Sequence, residues 1–275
     1  MEMNRLKRIY KWTLFLFGVP TCIGCDDRLA DPWSPICPEC KRRYEAVKTV
    51  ICPKCMRPLH RCSCVGEYLE GHFIKQHFKV FSYRNVEEND VANNLIYSMK
   101  RDNRADVREF LADELADALS DFLKKKKNVV FTNIPRRRSA IVEFGMDHAA
   151  DLARLLARHF ECEYIPLLVS KSKKAQKTTH GKDREHNVIF DYKGRKPKDL
   201  KGKTVIIVDD IVTTGASVAT AGALIRALGA KNIIAASVAE TCKEIPAEMT
   251  PKKGRAKRIP KAEKTEKAEK TTKTI

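Results

Sequence analysis

Residues 204–217 read TVIIVDDIVTTGAS, and the order of residue types in this stretch decides the fold. Residues 204–208 are apolar or β-branched without a break, which suits a strand buried on both faces of a parallel sheet. Asp209 and Asp210 follow at the carboxyl end of that strand. A small, hydroxyl-rich turn of Thr213, Thr214, Gly215, Ala216 and Ser217 then opens an apolar helix running to about Leu228. In open parallel sheets, ligands bind outside the carboxyl ends of the strands. Backbone N–H groups at a helix start suit a phosphate, and threonine and serine hydroxyls add donors. Gly215 lets the backbone approach with no Cβ in the way. Two carboxylates can accept hydrogen bonds from neighbouring sugar hydroxyls or help to hold a magnesium ion. A diol beside a phosphate describes a ribose 5-phosphate.

Outward from this stretch, the chain alternates strand and helix signals. Residues 77–83 predict a strand, and residues 87–99 and 104–123 have helical periodicity. Residues 128–134 (NVVFTNI) predict the first buried parallel strand, with a helix over 147–159 behind it. Further strands are expected over 163–169, 187–192, 204–208 and 232–239, and residues 170–185 are polar and rich in lysine. The alternation predicts an α/β fold with a doubly wound parallel sheet. Composition separates three regions: a cysteine-rich segment over 1–70, the sheet domain over 71–243, and a polar tail over 244–275. The first two are expected to carry separate cores.

The chain has 275 residues and a net charge of +18, so anionic partners are expected. From residue 251 to 275 there are 10 Lys or Arg and 3 Glu, with no aromatic, which reads as a disordered, Lys-rich extension. Basic groups also stand at 41–43 and 124–127. The apolar run over 14–19 is too short to span a bilayer and is followed by Cys22, so residues 4–17 read as an amphipathic helix. A chain without an export signal points to a reducing, cytoplasmic setting, where clustered thiols bind metal rather than each other. Of the ten cysteines, eight fall in close pairs: Cys22/Cys25, Cys37/Cys40, Cys52/Cys55 and Cys62/Cys64. A CxxC knuckle delivers two thiolates from one turn, so four pairs suit two structural zinc ions. The sequential reading puts Cys22, Cys25, Cys37 and Cys40 on one and Cys52, Cys55, Cys62 and Cys64 on the other, with His60 as an alternative ligand at the tighter CxC pair. Cys162 and Cys242 stand alone in apolar company and read as core residues.

The stretch over 204–217 resembles the 5-phosphoribosyl 1-diphosphate (PRPP) motif of type I phosphoribosyltransferases. Preceded by a double cysteine ribbon, it resembles the ComF (ComFC-like) family of phosphoribosyltransferase-like proteins linked to bacterial DNA uptake. Other motifs agree in order: Asn133-Ile134-Pro135-Arg136-Arg137-Arg138 after the first strand, Phe144 to Ala149, the series Gln176, Arg184, Asn187 and Phe190, and Tyr83, Ile96 and Lys100. The family's glutamine is His148 here and its phenylalanine Met146. The resemblance implies PRPP bound with magnesium: the 5-phosphate on Thr213 to Ser217, the ribose hydroxyls on Asp209 and Asp210, and the diphosphate near Pro135, Arg136 and Arg137. The polar stretch over 170–184 is long enough for a mobile lid, with Lys171, Lys173, Lys174, Lys177 or Arg184 reaching the leaving group, or else is a solvated surface loop. Purine-base transferases of this fold carry an aspartate as base where this chain has Thr213. His148 and His180 are alternative bases, each expected at the surface. The implied activity is phosphoribosyl transfer in DNA uptake with an unassigned acceptor. The alternatives are a non-catalytic PRPP- or nucleotide-binding adaptor that contacts single-stranded DNA and DNA-uptake proteins, or a nucleic-acid module with the sheet as scaffold.

Overall fold

The computed structural model of the chain describes residues 13, 18, 20–31, 33–83, 90–171, 189–194 and 198–241. The helix expected over 4–17 falls almost wholly outside the described residues, as do Lys173, Gln176, His180, Arg184, Cys242 and the tail. Contacts divide the chain into Met1–Lys243 and Glu244–Ile275, and the structure below belongs to the first unit.

Five strands form one parallel sheet: β1 (Ile74–Tyr83), β2 (Val129–Asn133), β3 (Glu163–Tyr164), β6 (Thr204–Val212) and β7 (Asn232–Thr241), in the order β1-β7-β6-β2-β3. The strand expected over 163–169 is split. Pro166 offers no N–H to the ladder, so the chain leaves β2 after Ile165 N donates to the Phe131 carbonyl at 2.9 Å. It resumes as β4 (Leu168–Ser170), which pairs antiparallel with β5 (Phe190–Tyr192) in a separate ribbon. The strand expected over 187–192 is therefore not a member of the parallel sheet.

Helices cover both faces, which makes the sheet doubly wound. On one face, α3 (Ala105–Leu123) and α5 (His148–His159) set Leu111, Leu115, Leu119, Leu152 and Leu156 against Phe131, Ile206, Val208 and Ile234. On the other, α6 (Ala216–Ala227) packs Val218, Ala219 and Ile225 onto Ile74, Val205, Ile207 and Ile233, together with Leu69. The helix expected over 87–99 is shorter. Asp90 caps α2 (Val91–Tyr97) by accepting from Ala92 N at 3.0 Å, and a wide π turn, Ser98–Asp102, follows. Asn103 ends that turn in the left-handed region, at φ 50°.

The cysteine-rich segment does not keep a core to itself. Cys22, Leu29, Ile36, Cys40 and Tyr44 are buried in the same cluster as the α3–α5 face of the sheet. Tyr44 lies on α1 (Pro38–Lys48), fully buried, with its ring edge-on to Phe81 at 5.9 Å. A ring of this size contributes roughly 4 kcal/mol of transfer free energy as an upper bound. Lys48, at the end of α1, is buried and paired with Glu114 of α3. The expectation of separate cores is corrected on this face. Cys52, Leu59 and Cys62 do form a small cluster of their own. The single helical turn that follows, Glu67–Glu70, inserts Leu69 into the α6 face.

Candidate functional site

Strand β6 runs four residues beyond the apolar stretch, to Val212, because β7 continues beside it as far as Glu240 opposite Val212. On its other side the pairing with β2 stops at Asn133 opposite Val208. Asp209 and Asp210 therefore sit where one neighbour has ended and the other has not, at the mouth of the sheet. Asp209 accepts from the Asp210 amide at 2.8 Å and Asp210 accepts from the Ile211 amide at 2.7 Å. Burial, reinforced by the Asp210 carboxylate, pushes Asp209 well above the ordinary aspartate range. Two adjacent carboxylates in such a place suit a divalent cation, the donor set that magnesium prefers.

Beyond Val212 the chain turns through Thr213, Thr214 and Gly215 into α6. Gly215 holds φ at 88°, which an L side chain adopts only under strain, and a Cβ there would lie 2.8 Å from Leu69 Cγ. The Thr214 hydroxyl accepts from the Ala216 amide at 3.3 Å, and the Ala219 amide donates to the Gly215 carbonyl at 2.8 Å. Thr213 is exposed, Thr214 and Ser217 are half-buried, and Ala216 is buried. The turn thus presents hydroxyls and the amino end of a 12-residue helix on the same side of the sheet as the acids.

The loop after β2 reaches this mouth from the side. Ile134 N donates to the Val208 carbonyl at 2.9 Å, immediately before Asp209. Asp147 caps α5 by accepting from Ala150 N at 3.1 Å, and its other oxygen accepts from Asn133 Nδ2 at 3.3 Å and Arg136 N at 3.4 Å. Pro135 and Arg136 are half-buried, whereas Arg137 is exposed. The Arg136 guanidinium lies over the Phe144 ring at 4.9 Å and donates to His148 Nδ1 at 2.5 Å.

His148 is not at the surface; it is fully buried. Arg136 can only donate, so Nδ1 accepts, and the ring proton sits on Nε2, which donates to Asn103 Oδ1 at 2.9 Å. Burial and the Arg136 charge hold the imidazole down at about 4. With both nitrogens engaged, His148 orients Arg136 and is not placed as a base. Several groups at this mouth escaped the sequence reading as site residues: Lys100, whose Nζ lies 3.0 Å from Asp210 Oδ2, along with Asn103, Asp147 and Leu69. Asp147 before an apolar helix is a capping signal that could have been used, as is Asn103 after a helical run. Lys100 stands among the residues that carry the resemblance, but nothing local points to its partner, 110 residues away.

The eight paired cysteines form the two expected groups. Within Cys22, Cys25, Cys37 and Cys40, and within Cys52, Cys55, Cys62 and Cys64, the sulfurs lie within 4.8 Å of one another. Thiolates at ~2.3 Å from a tetrahedral zinc ion stand ~3.8 Å apart, and Cys25 and Cys37 are at 3.7 Å. Backbone amides of Gly24 and Cys37 donate to Cys22 Sγ at 3.3 and 3.2 Å. Burial acts to raise that thiol, but these amides outweigh it and bring it down to about 7, whereas burial and the neighbouring thiols push Cys25 and Cys40 up. His60 turns its Nδ1 to the Lys48 carbonyl at 3.0 Å, and Cys64 completes the second group. Each group can hold a zinc ion. Cys162 is half-buried at the margin of the core, its thiol 3.4 Å from the Phe160 carbonyl.

Among the described residues no helix is long and apolar enough to cross a membrane. No curated protein matches the chain. Among solved structures it is similar to a purine phosphoribosyltransferase from Pyrococcus horikoshii (20% identity over 52% of this chain and 81% of that one, TM-score 0.33). It is also similar to a hypoxanthine phosphoribosyltransferase from Staphylococcus aureus (13% identity, 51% and 71%, TM-score 0.35) and an adenine phosphoribosyltransferase from Rhodothermus marinus (15% identity, 73% and 87%, TM-score 0.35). Residues 146–270, which include the acid pair and the turn into α6, match the phosphoribosyl transferase domain.

Proposed function

We propose that the chain binds PRPP with magnesium as a phosphoribosyltransferase of the ComF type, cytoplasmic and acting in DNA uptake, with two structural zinc ions. The observation that carries this reading is the meeting of three features at the carboxyl ends of parallel strands. These are the Asp209–Asp210 pair, the turn from Thr213 to Ser217 and the loop of Pro135, Arg136 and Arg137. The acids suit the ribose hydroxyls, the helix amino end suits the 5-phosphate, and Arg136 suits the diphosphate. Magnesium would supply charge to offset the departing diphosphate, and the chain's own residues orient the sugar and exclude alternatives to attack at its anomeric carbon. Lys173 and Arg184, from the polar segment before β5, belong to this proposal as lid residues.

A second reading, a PRPP-binding adaptor without turnover, is favoured by two observations. Thr213 stands where purine-base transferases place an aspartate, and His148 has both ring nitrogens engaged. On this reading the basic body and tail contact single-stranded DNA and the sheet site reports nucleotide supply. Heat stabilisation by PRPP with magnesium tests the shared site. It is expected in the wild type and absent from Asp209→Asn/Asp210→Asn; equal stabilisation of both would remove the acids from the site. Pyrophosphate release from PRPP, with nucleobases or single-stranded DNA added, then separates the enzyme from the adaptor.

A further inference from the structure

The acid pair receives a cation from a part of the chain that lies outside the matched region. Lys100 is on the π turn Ser98–Asp102, and its Nζ is 3.0 Å from Asp210 Oδ2, with both side chains mostly shielded from solvent. Wide turns of this kind cost regular helical bonding and cluster at functional sites. This one is held firmly at its end. Asn103 Nδ2 donates to the Phe144 carbonyl at 2.8 Å, Asn103 Oδ1 accepts from His148, and the Asn103 carbonyl accepts from Arg108. Arg108 is itself fixed by Asp151 at 2.7 Å.

Asn103 is therefore a junction with two arms. One leads back along the π turn to Lys100 and the acids. The other leads through His148 to Arg136. A single scaffold sets one cation on the acid pair and another on the adjoining loop. We propose that Lys100 and Arg136 form a two-sided cationic bracket for the diphosphate of the ligand, Lys100 exchanging Asp210 for a diphosphate oxygen on binding. The exchange follows from charge. Two adjacent carboxylates in a half-buried mouth need a counter-ion, and Lys100 supplies it. A ligand that brings its own cation to the acids makes Lys100 redundant there, beside a new and larger negative charge. Lysine suits such an exchange, since its ammonium is a compact charge on a flexible stem. Arg136, stacked on Phe144 and bonded to His148, is the fixed side of the bracket.

This inference rests on the PRPP reading and gives a role to Lys100, which lies outside the stretch over 204–217 and which the resemblance leaves without one. Calorimetric titration of the full, zinc-loaded chain with two probes tests it: PRPP with magnesium, and ribose 5-phosphate with magnesium, which keeps the sugar and 5-phosphate but lacks the diphosphate. In Lys100→Met, PRPP affinity is expected to fall about 10- to 100-fold, the usual range for a lost charge-assisted contact. Ribose 5-phosphate affinity should stay within about 2-fold, and Lys100→Arg should recover part of the loss. An equal fall for both probes would overturn the bracket and make Lys100 a group that acts on Asp210 alone. Unchanged PRPP affinity in a folded Lys100→Met protein would overturn it too. A wild type that binds ribose 5-phosphate as tightly as PRPP would show no diphosphate subsite at all. If the wild type bound neither probe, the PRPP reading would fail and this inference with it.

Discussion

The two cysteine groups offer the same four thiols and differ in spacing only at the CxC pair of the second, yet they are built into the molecule differently. The first is part of the main core: Cys22 and Cys40 pack with Tyr44, Phe81 and the α3 leucines, and Arg104 donates to the Thr21 carbonyl at 3.3 Å, just before the first knuckle. It buttresses α2 and the start of α3, between which Lys100 and Asn103 lie. The second has a small core of its own and reaches the sheet through polar contacts. Lys79 Nζ donates to the Cys64 carbonyl at 2.7 Å and pairs with Glu240 at 2.7 Å, inside a buried patch with His77 and Ser237. Its apolar contribution is Leu69, against Gly215. One group therefore supports the side of the site that carries Lys100 and Asn103, and the other the turn from Thr213 to Ser217. A metal site contributes to folding in proportion to what it is packed into, not simply to how many thiolates it has.

The largest expected effect tests that division directly. Cys40→Ser should release one zinc ion and lower stability by about 4 kcal/mol or more, or an unfolding midpoint about 8–16 °C lower. Cys52→Ser should release the other ion, lower stability by only about 1–2 kcal/mol, and weaken PRPP binding several-fold through the loosened Leu69. Metal analysis, thermal unfolding and titration on both variants would break the comparison if the two losses were the same size and PRPP affinity did not distinguish them.

A smaller effect sharpens the link between the second group and the turn from Thr213 to Ser217. Leu69→Ala should cost about 2–3 kcal/mol as a buried cavity, and Gly215→Ala about 1–2 kcal/mol from its positive φ and the contact with Leu69. Because the added methyl meets Leu69 itself, the double variant should be less destabilised than the sum, by about 0.5–1 kcal/mol. Strict additivity in denaturant unfolding would mean that the turn does not lean on the segment after Cys64.

A pH-dependent effect, slight near pH 7 and growing as pH falls, concerns the first group's side. His148 stays neutral down to about 4 in the folded chain, under burial, Arg136, Arg108 and Lys100, with Asp210 acting the other way. An unfolded histidine takes its proton near 6.5, so the unfolded state binds more protons between these values and stability falls as pH drops through that window. The loss reaches about 3 kcal/mol near pH 4. His148→Gln can still accept from Arg136 and donate to Asn103, and should be flatter over the same range. A wild type and variant that lose stability in parallel from pH 7 to pH 4 would remove His148 from the network.

The sheet, the acids and the turn were readable because each depends on a local pattern. Five buried residues in a row make a central parallel strand, and Thr213 to Ser217 make a helix start whatever surrounds them. The two cysteine groups were readable for the same reason, since CxxC closes a chelate within one turn. The split of 163–169 at Pro166 was also local and was passed over in favour of its apolar content. What could not be read was long-range. Lys100 on Asp210, Leu69 on Gly215, and the sharing of a core by Tyr44 and Phe81 each join segments that sequence spacing keeps apart. Burial of His148 belongs to the same class, because a lone histidine at a helix start looks solvated until Asn103 and Arg136 are folded over it.

Strand β1 lies at the edge of the sheet, ten residues long and, among the described residues, paired only with β7. Its outer side meets the segment around the last cysteines: His77 N donates to the Ser63 carbonyl at 3.1 Å, and Gln76 Nε2 to Ser63 Oγ at 3.2 Å. Long bare edges template pairing between molecules, and chains cover them to stay monodisperse. The second cysteine group is thus also a guard rail against self-association. Chelating a metal held by this group should make the chain add strand to strand, with light scattering rising before the sheet itself unfolds.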